Sequence, residues 1–249
     1  MPSPSIVLET VTKRFTPRGA PAVDHLSLSI FPGSVIGLLG ENGAGKSTTL
    51  NMIATLLRPS EGHIRLLGYD VARRPMEVRR SVGILFGSQG SLYGRLTGRE
   101  NIIYFASVYG MSSPQATRRA EELIALFGMA EYADRRVSTY STGMKQRASL
   151  ARSVVHDPPV LLLDEPTAGL DLSAAMVVHD FVRRWAESGN TVLFSSHHLD
   201  EILALCDRAL VLHRGRLSMD RLLNREDAAD LSEFRRSFVG LVRDGEVPV

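Results

Sequence analysis

One stretch limits the possible folds more than any other: Gly40-Glu41-Asn42-Gly43-Ala44-Gly45-Lys46-Ser47, followed by Thr48. It satisfies G-x-x-x-x-G-K-S/T at every required position. The apolar run "SVIGLLG" precedes it and reads as a buried strand, while "KSTTLNMIATLL" follows and reads as a helix. A strand, a tight glycine loop and a helix start form the context in which such a loop binds phosphate. Glycines let the backbone wrap closely, so that residues 40 to 48 can turn their N–H groups toward an anion. In this arrangement Lys46 reaches the outer phosphates and the Ser47 hydroxyl ligates Mg²⁺. The stretch therefore predicts a nucleoside triphosphate site in an α/β fold.

The rest of the chain alternates in a way that suits this. Leu26, Leu28 and Ile30 are spaced by two, as are Ile64 and Leu66, so the first third reads as half-buried strands. The middle third is helical. Thr97 and Glu100 form a capping box, opening a helix expected to stop near Gly110. Ser113-Pro114 opens a second, with an apolar stripe of Ala120, Leu123, Ile124 and Phe127 and a stop at Gly128. The stretch "YSTGMKQR" (140–147) starts a third. The last third returns to strands "PVLLLDE", "TVLFSS" and "RALVLH", with helices over 173–186 and from about Leu199, a short final strand after "HRGR", and an amphipathic helix over 227–239. Strands such as "PVLLLDE", apolar throughout, are expected in a sheet covered on both faces.

Composition narrows the function classes. A net charge of +2 is too mild to indicate a nucleic-acid partner, and the recurring arginine pairs suit solvated helix faces. Cys206 is the only cysteine, so no disulfide can form within the chain. No segment reads as a signal peptide, and no apolar run approaches the roughly 18 residues of a membrane span.

The carboxylates of "LLLDEP" complete a hydrolytic site. Asp164, at a strand end, can hold the metal, and Glu165 beside it can polarise an attacking water as general base. The plain alternative for Glu165 is a solvated strand-end charge. The stretch "YSTGMKQR" is a further puzzle, because Ser, Thr and Gly before a helix form a second anion-binding start.

Read in this order, the phosphate loop, "LLLDE" and "YSTGM" resemble the ABC ATPases over about residues 5 to 220. The resemblance implies a RecA-like P-loop NTPase: a mostly parallel α/β core, an antiparallel β portion near the N-terminus and an α-helical subdomain inserted at about 95–153. Residues 221–249 are expected to form a short helical tail. "YSTGM" stands where the family carries its signature motif, usually LSGGQ; Ser141 and Gly143 match, whereas Thr142 and Met144 depart. In the family two subunits pack head to tail, and each ATP lies between the phosphate loop of one and the signature helix of the other.

Further roles are implied by the same resemblance. Phe15 stands where an aromatic residue packs on adenine, with strand-end packing as its alternative. Asp171 in "AGLD" looks like the D-loop residue that faces the opposite site. His197 in "FSSHH" looks like the switch histidine on the γ-phosphate, with His198 adjacent. For the glutamine that touches the metal, the downstream "LTGREN" favours Ser88 and residue type favours Gln89; Gln89 is taken as the metal contact. The stretches "ILFGSQGSLYGRLT" and "HDPPVLLLDEPTAGLD" resemble bacterial exporters similar to sodium-extrusion ATPases. The resemblance thus implies ATP and Mg²⁺ as ligands and a subunit on the cytoplasmic face of the membrane. It would hydrolyse ATP as a homodimer, or beside a paralogue, to power a separate permease. A soluble ABC ATPase acting on nucleic acid or ribosomes is the alternative, but the gap from phosphate loop to signature leaves no room for a coiled coil. A small-molecule kinase would leave the signature, D-loop and histidine unexplained.

Overall fold

The structure, a computed structural model, describes residues 3–87 and 92–243. Two sheets divide the strands. The first is antiparallel and contains β1 (Ile6–Lys13), β2 (Val23–Ile30), β4 (Glu61–Leu66) and β5 (Tyr69–Asp70), in the order β2-β1-β4-β5. The second contains β3 (Val35–Leu39), β6 (Val82–Phe86), β7 (Val160–Asp164), β8 (Thr191–Ser196), β9 (Arg208–His213) and β10 (Arg216–Leu222). Its order is β10-β9-β3-β8-β7-β6; every pairing is parallel except that of β10, an antiparallel edge. The sequence expectation of a mostly parallel core with an antiparallel portion near the N-terminus holds.

Eight helices are found among the described residues: α1 (Lys46–Ile53), α2 (Pro75–Arg80), α3 (Gly98–Val108), α4 (Ser113–Leu126), α5 (Thr142–Ser153), α6 (Leu172–Glu187), α7 (Leu199–Leu205) and α8 (Ala228–Arg243). The parallel strands are buried on both faces, and their alternation separates two cores. Ile36, Leu38, Val160 and Leu162 face a core shared with the antiparallel sheet and with Leu50, Met52 and Ile53 of α1. Val35, Leu39, Leu161 and Leu163 face the other, built with α4, α6, α7 and Phe234 of α8. The loop that follows β3 is therefore held from both sides. Gly37 lets α7 approach closely, since a Cβ there would lie 2.8 Å from the Cys206 sulfur.

The helical segment follows its sequence signals. At α3 the capping box forms in both directions, with Glu100 N–H donating to Thr97 Oγ1 (3.1 Å) and Thr97 N–H to Glu100 Oε2 (2.8 Å). Arg119 of α4 donates to the carbonyls of Val154 and Val155 just past α5, tying the two helices together.

Some expectations change. The helix after the phosphate loop stops at Ile53 instead of running to Leu57, because Thr55 turns left-handed (φ 65). The short α2 goes unread in the sequence; Pro75 starts it, but only Val78 of its six residues is buried, so it has no apolar stripe. No helix among the described residues is long and apolar enough to cross a membrane.

Candidate functional site

The phosphate loop begins where β3 ends. Gly45 caps α1 with φ 103, and a Cβ there would lie 2.5 Å from the Ala22 carbonyl oxygen, so a glycine is needed for both conformation and space. Gly43 also has positive φ (84), but nothing lies within 4 Å of its missing Cβ. The loop thus leans on the fold at Gly45 and opens outward at Gly43. No side chain caps α1, so the N–H groups of its first residues, Lys46, Ser47 and Thr48, are available to an anion. Ala44 N–H donates to Glu41 O (3.1 Å) and closes the turn, with Asn42 exposed at its tip.

Lys46 is buried, and its ammonium donates to the carbonyl oxygens of Gly40 (2.5 Å) and Glu41 (3.0 Å). Burial lowers its pKa, while Glu165, Asp164 and Glu41 pull it back up.

The two carboxylates sit at the end of β7, beside β8. Ser195 on β8 organises them. Its hydroxyl donates to Asp164 Oδ1 (2.5 Å) and accepts from the Glu165 N–H (3.0 Å), which also points at the Ser195 carbonyl (3.2 Å). Glu165 is left-handed (φ 47), a conformation that costs a non-glycine residue about 1–3 kcal/mol. It turns the Glu165 carboxylate to 3.1 Å from His197 Nδ1 and 3.9 Å from Lys46 Nζ. Lys46, Asp164, Glu165 and His197 thus converge from α1, β7 and the loop after β8. His198 lies against His197, with ring centres 3.9 Å apart and the planes tilted by 42°, but the contact with Glu165 is made by His197.

Sequence reasoning gave Ser195 no role. Its signal was a hydroxyl near the end of a fully buried strand, which must find a partner.

Ser141, Gly143 and Asp171 lie together at two other helix starts. Ser141 caps α5, accepting from the Met144 N–H (3.3 Å), and is exposed. Asp171 caps α6, accepting from the Ala174 N–H and the Ser173 hydroxyl (both 2.8 Å), which lowers its pKa. The helix starts touch: a Cβ on Gly143 would lie 3.6 Å from that of Ala174. Gln146 of α5 also donates to the Pro166 carbonyl, next to Glu165. Phe15 is 63% exposed just past β1, with Lys13 Nζ 5.4 Å from its ring centre, so it is not buried by strand-end packing. Gln89 and Ser88 lie outside the described residues.

Among the described residues no cluster of three His, Cys, Asp or Glu side chains could hold a metal by itself. The donor chemistry at Asp164 and Ser47 fits Mg²⁺, which takes one or two protein oxygens and fills its octahedron with phosphate and water. Asp164 already has one oxygen engaged by Ser195, and Ser47 is exposed on the first turn of α1.

The sequence profile of the family described as ABC transporter matches residues 23–168, from β2 to the turn after Glu165.

The chain belongs to the ABC transporter family.

Within that family it is an ATP-binding, ATP-hydrolysing chain. It is similar to the ABC transporter ATP-binding protein NatA of Bacillus subtilis (strain 168), 41% identical over 233 residues, spanning 91% of this chain and 95% of that one. It is also similar to the daunorubicin/doxorubicin resistance ATP-binding protein DrrA of Streptomyces peucetius, 45% identical over 199 residues, spanning 80% of this chain and 60% of that one. Among solved structures, it resembles a dimeric post-hydrolysis state of an ATP-binding cassette bound to ADP and Pi. The TM-score is 0.80 at 26% identity, over 88% of this chain and 99% of that one.

Proposed function

We propose that this ABC chain is the ATP-hydrolysing subunit of an exporter, working as a head-to-tail pair, with a copy of itself or a paralogue, on the cytoplasmic face of a separate membrane permease. The observation that carries the reading is the place of the Glu165 carboxylate, between His197 and Lys46 at the mouth of the phosphate loop. The N–H groups from Gly40 to Thr48 bind the phosphates of ATP. Lys46 balances charge on the outer phosphates, and Phe15 offers its exposed ring to the adenine. Asp164, Ser47 and Gln89 would hold Mg²⁺, which would supply positive charge against the charge that develops on the phosphates. Glu165 accepts the proton of the attacking water, and His197 keeps the Glu165 carboxylate in place and reaches the γ-phosphate. Residues 5–220 act as the nucleotide-binding domain, with a helical subdomain at about 95–153 and a tail at 221–249.

The pairing is supported by the exposed start of α5. Ser141 and Gly143 present a helix N-terminus toward solvent, suited to covering a γ-phosphate bound by another subunit, with Asp171 beside them. The permease is supported by a groove of about 570 Å³ between α2 and α3, lined by Met76, Arg79, Arg80, Val108, Tyr109 and His156. Tyr104, one turn before Val108 on α3, and Tyr93 are both exposed and meet edge to face. Export is favoured by the relatives, of which DrrA carries daunorubicin/doxorubicin resistance in its name.

The test is Glu165→Gln. The account predicts ATP affinity close to wild type and a turnover lowered about 10²- to 10⁴-fold. Full turnover would remove Glu165 as the base.

A further inference from the structure

We infer that Glu201 is a positioning residue that ties the loop from Glu165 to Asp171 to the loop carrying His197, so that the two move as one body. The inference rests on the reading of the site given above. Glu201 lies on α7, and its side chain is only 10% exposed. Three side chains from three segments converge on it. Thr167 Oγ1 donates to Glu201 Oε1 (2.5 Å), and His179 Nε2, from the middle of α6, lies 3.0 Å from the same oxygen. Ser196 Oγ donates to Oε2 (2.6 Å).

Each of these contacts reaches a residue of the site. Thr167 is inside the turn that leaves Glu165, where Ala168 N–H donates to Glu165 O and Leu170 N–H donates to Thr167 O. His179 holds α6, whose first turn is capped by Asp171. Ser196 immediately precedes His197, and its hydroxyl accepts from the His198 N–H (3.0 Å), which fixes the backbone on both sides of His197. Glu201 itself is anchored, because α7 packs on β3 through Ile202 and Cys206 at Gly37.

Burial alone would raise the Glu201 pKa, but the bonds from His179, Ser196 and Thr167 outweigh it and lower it, so an ionised acceptor sits at the junction. A partner subunit pressing on Asp171 would therefore be felt at His197 through one carboxylate. None of the phosphate-loop residues hydrogen-bonds to Glu201 among the described residues, so nucleotide affinity need not follow.

The test uses the whole chain with ATP and Mg²⁺, reading kcat, KM, nucleotide affinity and thermal midpoint for Glu201→Ala, Glu201→Gln, Thr167→Val and His197→Ala. The inference expects Glu201→Ala to lower kcat about 10- to 100-fold, the cost of about 1 Å of misplacement, with ATP affinity within about twofold. Glu201→Gln keeps an accepting oxygen and should recover part of the loss. Thr167→Val preserves shape and should lower kcat with little change in midpoint. Folded Glu201→Ala at the wild-type kcat would overturn the inference. So would a loss of kcat, affinity and midpoint together across the Glu201 and Thr167 variants, since that marks a purely structural role. His197→Ala separates the two claims. If it turns over normally, the reading of His197 fails; if it is inactive while Glu201→Ala is active, only the present inference fails.

Discussion

Two helix starts in this chain, those of α1 and α5, are both suited to an anion, and they are built in opposite ways. At α1 the cap is a left-handed glycine wedged against Ala22, no side chain occupies the first-turn N–H groups, and a buried lysine stands behind them. At α5 the cap is a serine whose own oxygen takes one N–H group, the residues are exposed, and no hydrogen bond among the described residues joins them to Lys46, Glu165 or His197. The first is held open for an anion by groups of its own chain. The second is a stable helix end facing outward, which in the proposed pairing would contact a phosphate brought by another subunit.

The contrast can be broken most strongly at the lysine. Lys46→Ala should abolish productive ATP binding, read by nucleotide titration, whereas Ser141→Ala should leave the affinity of the isolated chain within about twofold. Equal losses would mean that both helix ends bind the same ATP.

The two glycines sharpen it next. In Gly45→Ala the new Cβ meets the Ala22 carbonyl oxygen at 2.5 Å in a left-handed cap, and a loss of at least about 2 kcal/mol is expected by denaturant unfolding. In Gly143→Ala the Cβ makes an ordinary 3.6 Å contact, so stability should change by less than about 1 kcal/mol.

A pH titration distinguishes the regions in another way. His156, just past the end of α5, stacks on Tyr109, and burial holds its pKa down to about 4. Its native form binds fewer protons than the unfolded chain between pH 6.5 and 4, so stability should fall as pH is lowered through that window. The loss should approach about 3 kcal/mol near the acid end. His156→Phe should flatten that limb if the histidine is its source. A small effect is expected from the cap: Ser141→Ala should cost about 1 kcal/mol of stability.

Much of this was legible in the sequence because it is local. The glycine spacing of the phosphate loop, the Thr97–Glu100 box and the unbroken apolar run before Asp164 each act over a few residues, and the structure forms all three elements. The pairing of His197 with Glu165 was harder, since the residues are 32 apart in the chain and meet only when β7 and β8 pair in parallel. Ser195 and Glu201 were not legible as site residues. Their roles rest on bonds that reach up to 34 residues along the chain, from Ser195 to Glu165 and from Thr167 to Glu201, and a buried serine or a helix glutamate has no periodic signature of its own. The short α2 escaped because its residues follow neither a helical nor an alternating pattern.

The central claim is that the start of α5 completes a site on another chain. It is tested most directly by light scattering after gel filtration of Glu165→Gln, with and without ATP and Mg²⁺, beside the same variant carrying Ser141→Arg. The account predicts a monomer that ATP converts to a dimer, and no dimer when Ser141→Arg is present. A dimer indifferent to Ser141→Arg would contradict it, and a monomer that holds ATP would contradict pairing with a copy of itself.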